Sequence, residues 1–325
     1  MAWLMCVMLI GALYSIVWIV LFIFPELIHK PKKNQIRGKL IAHRGGAGEE
    51  LENTLTAFKR AAEKDVHMLE LDCYLTRDSH VVVSHDPHLL NLTGEDVYIH
   101  DIDYKDLPCL KPVLELDFAK ETSGQTCCGN PNDRNIPLLR EVFEQCPGVP
   151  INLDVGTDND VLIDQARNVV CLIIFQVIKM VIEFKREDIT ILGNTNESMT
   201  RKLHAKAPEL LLFFSEQSFY RLLKVFYLGV IPFVSFKESF LEIPLGSVLK
   251  DAGMKNWIFT SFPRIYDVVV LNPLLIFHLH RRGIKVFMWV LNTEEQWEQG
   301  FAYGADAVMT DYPSKLRDYT NKKKL

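Results

Sequence analysis

The sequence predicts an α/β fold in which parallel strands alternate with helices and close into a barrel. Short apolar runs recur with helix-like segments between them, which favours parallel strands joined by helical crossovers. About eight such runs are present, which favours a closed barrel over an open sheet, and polar residues directly follow several of them. The predicted fold class is therefore α/β, a TIM (β/α)8 barrel. The strand candidates are Lys39–Ala42, Met68–Leu71, Val81–Val83, Ile151–Val155, Ile189–Leu192, Leu210–Phe214, Trp257–Phe259, Ile284–Leu291 and Ala307–Met309.

The first part of the chain predicts a transmembrane helix. Ala2–Phe24 contains no charged residue and is long enough to cross a bilayer. No basic segment precedes this run and no small-residue cleavage site follows it, which argues against a signal peptide. A basic cluster comes next and could also contact anionic membrane lipids: Lys30, Lys32, Lys33, Arg37 and Lys39. The positive-inside rule therefore predicts a luminal N-terminus and a cytoplasmic barrel.

The domain organisation follows from these features. We predict a transmembrane anchor at residues 1–25, a basic juxtamembrane linker at 26–38, the barrel at 39–318 and a basic tail at 319–325. Residues 88–135 have weak periodicity and many turn formers, so we predict a small insertion after the third strand.

Helices are predicted between the strands. Residues after Glu52-Asn53-Thr54 have helical periodicity, and either Asn53 or Thr54 could cap that helix. Ile136–Gln145 is predicted to be a helix that begins at Pro137, and Val161–Phe184 a long helix packed on the barrel.

One apolar segment, Leu222–Phe236, leaves two interpretations open. Lys224, Gly229 and Pro232 interrupt it, so it does not predict a second membrane span. A helix and loop of the barrel is the favoured interpretation. The alternative is an interfacial segment beside the entrance to the active site.

Composition excludes several classes of function. The net charge of −5, with 24% charged residues, gives no indication of nucleic acid binding. The seven cysteines are odd in number and contain no C-x-x-C pair, so they indicate neither a disulfide framework nor a zinc site. No protein partner can be identified from the sequence.

Three polar clusters lie between Ile41 and Pro87: His43-Arg44-Gly45-Gly46, Glu70-Leu71-Asp72 and Ser84-His85-Asp86. Each follows or ends an apolar run, and in α/β barrels the carboxyl ends of the strands carry the active site. Histidines suit proton transfer. Glu70 and Asp72 alternate along a strand, so both carboxylates point to one face, as a metal site with oxygen ligands requires.

An ordered set of motifs resembles the glycerophosphodiester phosphodiesterase family. The motifs are HRG (43–45), ENT (52–54), ELD (70–72), SHD (84–86), IPLLREVF (136–143), VFMWVLN (286–292) and GADAVMTDYP (304–313). The resemblance implies a TIM barrel, a divalent cation (Mg²⁺ or Ca²⁺) and hydrolysis of glycerophosphodiesters to an alcohol and a phosphomonoester. The apolar N-terminal segment and the sequences HRGGAGE and MTDYP are most similar to those of the membrane-anchored lysophospholipase D branch.

That branch acts on lysophospholipids and N-acyl lysophosphatidylethanolamines and releases lysophosphatidic acid. The resemblance therefore implies a lysophospholipid or glycerophosphodiester substrate. With the apolar segment, it implies a single-pass protein of endoplasmic reticulum or perinuclear membranes.

The resemblance also assigns roles to individual residues. His43 and His85 match the catalytic pair, and which is the acid and which the base stays open. Glu70 and Asp72 match metal ligands, with Asp154 and His85 as further candidates. Oxygen ligands favour Mg²⁺ or Ca²⁺ over zinc.

Three further residues are candidates for substrate binding. Arg44 could hold a phosphoryl oxygen through its forked donors. Glu52 could bond the substrate glycerol or orient His43, and Trp289 is expected to line the pocket.

One position departs from the family pattern, because Gly156 stands where the family usually has a lysine after the acid at Asp154. The alternative function is therefore a catalytically impaired homologue that binds membrane lipids or a partner. A phosphatidylinositol-specific phospholipase C, which also uses two histidines, is disfavoured by the Glu-x-Asp pair and the ENT motif.

Overall fold

The structure is a computed structural model that describes residues 2–116, 126–156, 163–249 and 260–325. In chain order, its strands are β1 (Leu40–Ala42), β2 (Met68–Leu75), β3 (Val81–Val83), β4 (Leu114–Glu115), β5 (Thr126–Cys127), β6 (Ile151–Val155), β7 (Thr190–Gly193), β8 (Leu211–Leu212), β9 (Phe240–Ile243), β10 (Lys285–Met288) and β11 (Ala307–Thr310). Eight of them pair in parallel in the order β8-β7-β6-β2-β1-β11-β10-β9, and a parallel bridge from Phe213 to Phe240 joins the two ends. This nearly closed barrel confirms the predicted fold class.

Helices cover the outside of the barrel. In chain order they are α1 (Ala2–Ile23), α2 (Leu55–Glu63), α3 (Leu90–Thr93), α4 (Leu139–Gln145), α5 (Ile163–Glu183), α6 (Glu197–Lys206), α7 (Glu216–Tyr227), α8 (Pro263–Val270), α9 (Pro273–Arg281), α10 (Glu294–Ala302) and α11 (Pro313–Lys323). Thr54 is the N-cap of α2, because its Oγ1 accepts a hydrogen bond from the Ala57 amide at 3.2 Å. Helix α4 begins at Leu139 and not at Pro137, because the chain at Pro137 still pairs with β3. The Pro137 carbonyl accepts a hydrogen bond from the Val83 amide.

The prediction that Val81–Val83 is a barrel strand is wrong. This strand pairs antiparallel to β2, with Val83 opposite Cys73 and Val81 opposite Leu75. Residues 76–80 alone connect the two strands, and a parallel crossover needs a dozen or more residues. The barrel position is instead supplied by β9, which the sequence analysis missed. The candidate Trp257–Phe259 lies outside the described residues.

The region after β3 has a small core of its own. Within residues 88–116 and 126–135 the structure places α3, two single 3₁₀ turns and the antiparallel pair β4–β5. Their apolar side chains pack together with Leu51, Val82 and Ile136. This region therefore lies on β3 and beside α2, close to the residues that follow β1.

The interior of the barrel is filled at its amino-terminal end. Ile36, which precedes β1, is buried among the inward-facing side chains of the strands, including Met68, Phe240 and Phe287. The Lys285 ammonium donates to the Ile36 carbonyl at 2.5 Å. Since this end is closed by packing, the open end of the barrel is the carboxyl end of the strands.

Helix α1 packs on the barrel through its last turns. Most of its side chains are exposed, but Phe22 is buried and stacks on the His278 ring of α9, with 4.7 Å between centroids. The Trp18 indole donates to the Gly229 carbonyl at 2.6 Å, and the Arg281 guanidinium donates to the Ile23 carbonyl at 2.9 Å. The end of the apolar helix is therefore fixed to the protein surface.

Candidate active site

A pocket of about 710 Å³ opens at the carboxyl ends of the strands. Its polar wall contains most of the site residues that the sequence predicted: His43, Arg44, Glu70, Asp72, His85, Asp154 and Trp289. Its other wall is largely apolar and aromatic. These residues, which the sequence predicted at or near strand ends, therefore line one pocket.

The turn after β1 positions His43 and Arg44. The chain bends sharply there, and Arg44 has a φ of 49°, so the strand does not continue. The Arg44 amide consequently donates to Glu70 Oε2 at 2.9 Å. Gly45 and Gly46 have φ values of 81° and 99°, a region that favours glycine.

His43 is held by a carboxylate that the sequence analysis did not select. Its Nδ1 lies 2.6 Å from Asp311 Oδ1, and the Asn292 amide donates to Asp311 Oδ2 at 2.7 Å. Burial favours a higher pKa for Asp311, but the neighbouring His43 and the bonds from His43 and Asn292 outweigh it, so the pKa is lowered. An ionised carboxylate only accepts hydrogen bonds, so neutral His43 carries its proton on Nδ1.

The other ring nitrogen of His43 faces the carboxylates: Nε2 lies 3.9 Å from Glu70 Oε2. His43 is thus oriented from behind by Asp311 and presents Nε2 to the site. Both Asp311 and Asn292 occur in motifs quoted above, MTDYP and VFMWVLN. Their role was missed because it depends on the pairing of β11 with β1.

His85 has a different environment. Its side chain is 38% exposed, and its Nδ1 lies 2.9 Å from Asp86 Oδ1. Burial and the charge of Arg44 favour a lower pKa, but the Asp86 bond, Asp72 and Glu52 outweigh them, so the pKa of His85 is raised. His85 therefore holds its proton more strongly than an isolated imidazole does.

Three predicted metal ligands lie side by side on the barrel interior. The β2–β6 register places Asp72 opposite Asp154 and Glu70 opposite Asn152. Burial, and then the charge of Asp72, raise the pKa of Glu70 well above its usual range and that of Asp154 to about 7. Neighbouring carboxylates repel one another when ionised, so a bound positive charge would stabilise their ionised forms.

Glu242 on β9 is a fourth carboxylate of the pocket and is partly buried, and the sequence analysis missed it together with its strand. It accepts a hydrogen bond from the Asn152 amide at 2.8 Å. Burial and the charge of Asp154 raise the pKa of Glu242 to about 8. Asp154 itself accepts from the Asn194 amide at 2.9 Å.

The donor atoms of this cluster fit a hard divalent cation. All are carboxylate oxygens, and Asp72 Oδ2 is buried with no hydrogen-bond partner among the described residues. In the described ranges, however, no group of three or more His, Cys, Asp or Glu side chains has the arrangement of a metal site. The side chains therefore offer suitable ligands but do not already converge.

Glu52 lies behind the pocket, where it binds Arg44. Both side chains are buried, and Arg44 Nη1 donates to the two Glu52 oxygens at 3.0 and 3.2 Å. The structure thus places Glu52 as a partner of the guanidinium. Of the described residues that line the pocket, Arg44 alone has a permanent positive charge.

A tyrosine of the neighbouring strand fills the space where a side chain at residue 156 would lie. A Cβ added to Gly156 would collide with the ring of Tyr74, and the Tyr74 hydroxyl would lie 2.9 Å from it. Tyr74 follows Asp72 on the same face of β2. The loss of a side chain at Gly156 and the bulky ring at Tyr74 are therefore two parts of one packing arrangement.

Comparison with known proteins gives a consistent result. The sequence model of the Glycerophosphoryl diester phosphodiesterase family matches residues 43–315. "Lysophospholipase D GDPD1" of Homo sapiens is 38% identical, covering 94% of this chain and 93% of the relative. "Lysophospholipase D GDPD3" of Mus musculus is 34% identical, covering 92% and 86%.

Solved structures share the fold. A phosphodiesterase from Oleispira antarctica, solved with the product sn-glycerol-3-phosphate, superposes with a TM-score of 0.61 at 19% identity, covering 88% of this chain and 97% of its own. The glycerophosphodiester phosphodiesterase from Thermotoga maritima gives a TM-score of 0.55 at 23% identity, covering 86% and 96%.

Proposed function

The chain belongs to the Glycerophosphoryl diester phosphodiesterase family, and on that premise we propose that it is a metal-dependent lysophospholipase D held on a membrane. In the proposed reaction, water cleaves the bond between phosphate and the head-group alcohol of a lysophospholipid and leaves lysophosphatidic acid. Glycerophosphodiesters, which lack the acyl chain, would react in the same way. The observation that carries the proposal is the Asp311–His43 pair, which faces Glu70 and the other carboxylates of the pocket.

The two histidines would handle the protons. Asp311 keeps the proton of neutral His43 on Nδ1, so its Nε2 lone pair is available to accept a proton from the attacking water. The raised pKa of His85 suits the donor that protonates the departing alkoxide. The environments of the two side chains thus support His43 as the base and His85 as the acid.

Charge in the pocket would be balanced by a divalent cation, Mg²⁺ or Ca²⁺. Glu70, Asp72 and Asp154 would hold it, and His85, the fourth candidate ligand, is assigned to proton donation instead because a protonated imidazole has no lone pair for a cation. When bound, such a cation neutralises phosphoryl oxygens and stabilises the charge that develops during hydrolysis. Arg44, fixed by Glu52, would bind a phosphoryl oxygen from the other side.

The apolar wall of the pocket supports a substrate with an acyl chain. It is formed by Phe213, Phe214, Phe219, Tyr220 and Tyr266. Soluble glycerophosphodiesters carry no group that needs such a surface, whereas the acyl chain of a lysophospholipid does. Trp289, half-buried in the same pocket, would contact the glycerol.

We further propose that α1 is a membrane anchor. Trp3–Ile23 is long and apolar enough to cross a bilayer and is almost entirely exposed. A signal peptide is removed, but the last turns of α1 pack and hydrogen-bond with the barrel. With the exposed basic residues Lys30, Lys33 and Arg37 after it, the barrel would face the cytoplasm, at endoplasmic reticulum or perinuclear membranes.

A choline-release assay tests the function. Purified full-length protein is incubated with lysophosphatidylcholine and either Mg²⁺ or Ca²⁺, and we expect choline to appear. His43→Ala should abolish release, while His204→Ala on α6, outside the pocket, should not. No release by the wild type, or equal release by His43→Ala, would refute the proposal.

The second candidate is a catalytically impaired homologue that binds lipid, and Gly156 favours it. If a phosphate-binding lysine is required, its absence costs about 1.5–3 kcal/mol, or roughly 10- to 150-fold in rate. Gly156→Lys alone is a poor test, because the new side chain meets the Tyr74 ring. The double variant Gly156→Lys/Tyr74→Ala, compared with Tyr74→Ala, removes that collision. A large gain in choline release would support impairment, and no gain would show that the lysine is dispensable.

A further inference from the structure

The outward faces of α8 and α9 expose large apolar side chains. Barrel helices normally expose polar residues, as α10 and α11 do here. In contrast, Ile265 and Val268 of α8 and Leu274 and Phe277 of α9 are exposed, Val268 by 71% and Leu274 by 60%. Leu228 and Phe233, in the turn after α7, are exposed as well. These six residues are called the lateral apolar surface below.

Contacts show that the lateral apolar surface is continuous with α1. Phe233 stacks on Tyr14, with 6.2 Å between ring centroids, and Phe277 stacks on Phe22 at 6.4 Å. The Tyr227 hydroxyl donates to the Val269 carbonyl at 2.6 Å, which joins the end of α7 to α8. Helices α8 and α9 are consecutive, so the exposed side chains form one surface beside the apolar helix.

The length of α1 gives an independent reason to place this surface at lipid depth. Its 22 residues span about 33 Å, little more than the roughly 30 Å of a hydrocarbon core. A helix that crosses the bilayer therefore needs nearly its whole length, yet it touches the barrel from Tyr14 to Phe22. The barrel residues that it touches must then enter the membrane with it.

The polar groups of this contact are hydrogen-bonded, as contact with lipid requires. The Tyr14 hydroxyl and the Trp18 indole both donate to the Gly229 carbonyl, so their polar ends are satisfied where the helix meets the barrel. Arg264 of α8 and Lys224 of α7 are exposed, and long basic side chains can reach head groups from an apolar surface. The composition is that of a surface at the lipid boundary.

We propose that the lateral apolar surface is inserted into the leaflet on the barrel side of the membrane, so that the barrel meets the bilayer with the side formed by α7, α8 and α9. The inference rests on the proposed anchoring by α1. The occupant of the surface is the lipid of the membrane that α1 crosses. Phe219 and Tyr220, on the apolar wall of the pocket, belong to the same helix α7, so the barrel side that carries this wall faces the lipid.

Spin labelling in vesicles tests this orientation. Exposed native cysteines are first replaced by serine in the full chain: Cys6, Cys109, Cys128 and Cys171. Single variants Val268→Cys and Leu274→Cys are labelled with a nitroxide and reconstituted in phosphatidylcholine–phosphatidylserine vesicles. Collision with oxygen, which concentrates in lipid, is compared with collision with a water-soluble nickel chelate.

Two control positions make each outcome decisive. Leu9→Cys reports the exposed part of α1, and Phe175→Cys reports an equally apolar side chain, 64% exposed, on α5. We expect labels at 268 and 274 to shift towards oxygen like the label at 9, while the label at 175 favours the chelate. Labels at 268 and 274 that behave like 175 overturn the proposal while leaving the anchor intact. A chelate-exposed label at 9 overturns the anchor and the proposal together, and an oxygen-exposed label at 175 shows that lipid contact is not specific to this surface.

Discussion

Asp311→Asn should inactivate the enzyme by changing which nitrogen of His43 carries the proton. Asp311 accepts two hydrogen bonds, one from His43 Nδ1 and one from the Asn292 amide. Asn292 cannot turn over, because its carbonyl oxygen already accepts from the Thr310 hydroxyl and the backbone amide of residue 311. An asparagine at 311 must therefore direct its oxygen to Asn292 and its NH₂ group to His43. The proton of His43 then moves to Nε2, which no longer accepts one from water.

The expected size of this effect follows from the bond that is lost. A hydrogen bond to a charged group contributes about 1.5–3 kcal/mol, which alone corresponds to roughly 10- to 150-fold in rate. The same Asp→Asn change in the His–Asp pair of serine proteases costs about 10⁴-fold through the wrong tautomer. We therefore expect kcat for choline release to fall by about 10²- to 10⁴-fold, with KM nearly unchanged.

A second variant isolates the tautomer from the loss of the side chain. In Asp311→Asn/Asn292→Asp, the new carboxylate at 292 accepts from the amide at 311, whose oxygen then turns back to His43 Nδ1. Part of the activity should return, although the negative charge is one residue further away. Thermal unfolding of both variants serves as the folding control. A single variant with the wild-type rate, or a double variant no faster than the single, would refute the reasoning.

Three further predictions concern metal, pH and topology. Chelation by EDTA should stop choline release. Adding Mg²⁺ or Ca²⁺ should restore release by the wild type but not by Asp72→Asn, because Asp72 Oδ2, which has no hydrogen-bond partner among the described residues, is then no longer available to the cation. Burial lowers the pKa of His278 to about 4, so protonation favours the unfolded chain, and stability is lost as the pH falls from about 6.5 towards 4. The free energy of unfolding should fall by at most about 3 kcal/mol, and by less in His278→Phe. Urea unfolding at pH 7 and at pH 5 measures this difference. Finally, the sequons at Asn91 and Asn196 should carry no glycan in cells if the barrel is cytoplasmic, and a mobility shift on endoglycosidase treatment would reverse the orientation.

The sequence predicted those parts of the site that depend on local patterns. His43, Glu70 and Asp72 could be placed because each lies at the end of, or within, an apolar strand, and strand ends share one face of a barrel. His85 was placed in the pocket for a partly wrong reason, since β3 is the return of a hairpin on β2. The hairpin extends β2 beyond the barrel rim and then brings the chain back towards Asp72: the Ser84 amide donates to the Asp72 carbonyl.

Residues whose role depends on pairing across the barrel could not be predicted. Asp311 orients His43 only because β11, the last strand, closes against β1, the first. Glu242 is a different case: it was missed with β9, although the sequence FLEI of β9 has the same apolar pattern around a glutamate as the MLEL that begins β2. The packing of Tyr74 against Gly156 joins positions on neighbouring strands, so the sequence showed the missing lysine but not the ring in its place.

The charge balance of the pocket predicts that the proposed cation matters more here than it would beside a lysine. Asp72 and its neighbours give the pocket several buried or partly buried carboxylates, and the pKa values of Glu70, Asp154 and Glu242 are all raised. Against them stands the charge of Arg44, which Glu52 already neutralises in part. A phosphodiester brings a further negative charge and is repelled by each of these carboxylates that is ionised, so neither charge is balanced unless positive charge is added. Because Gly156 supplies none, substrate binding as well as catalysis should depend on the divalent cation.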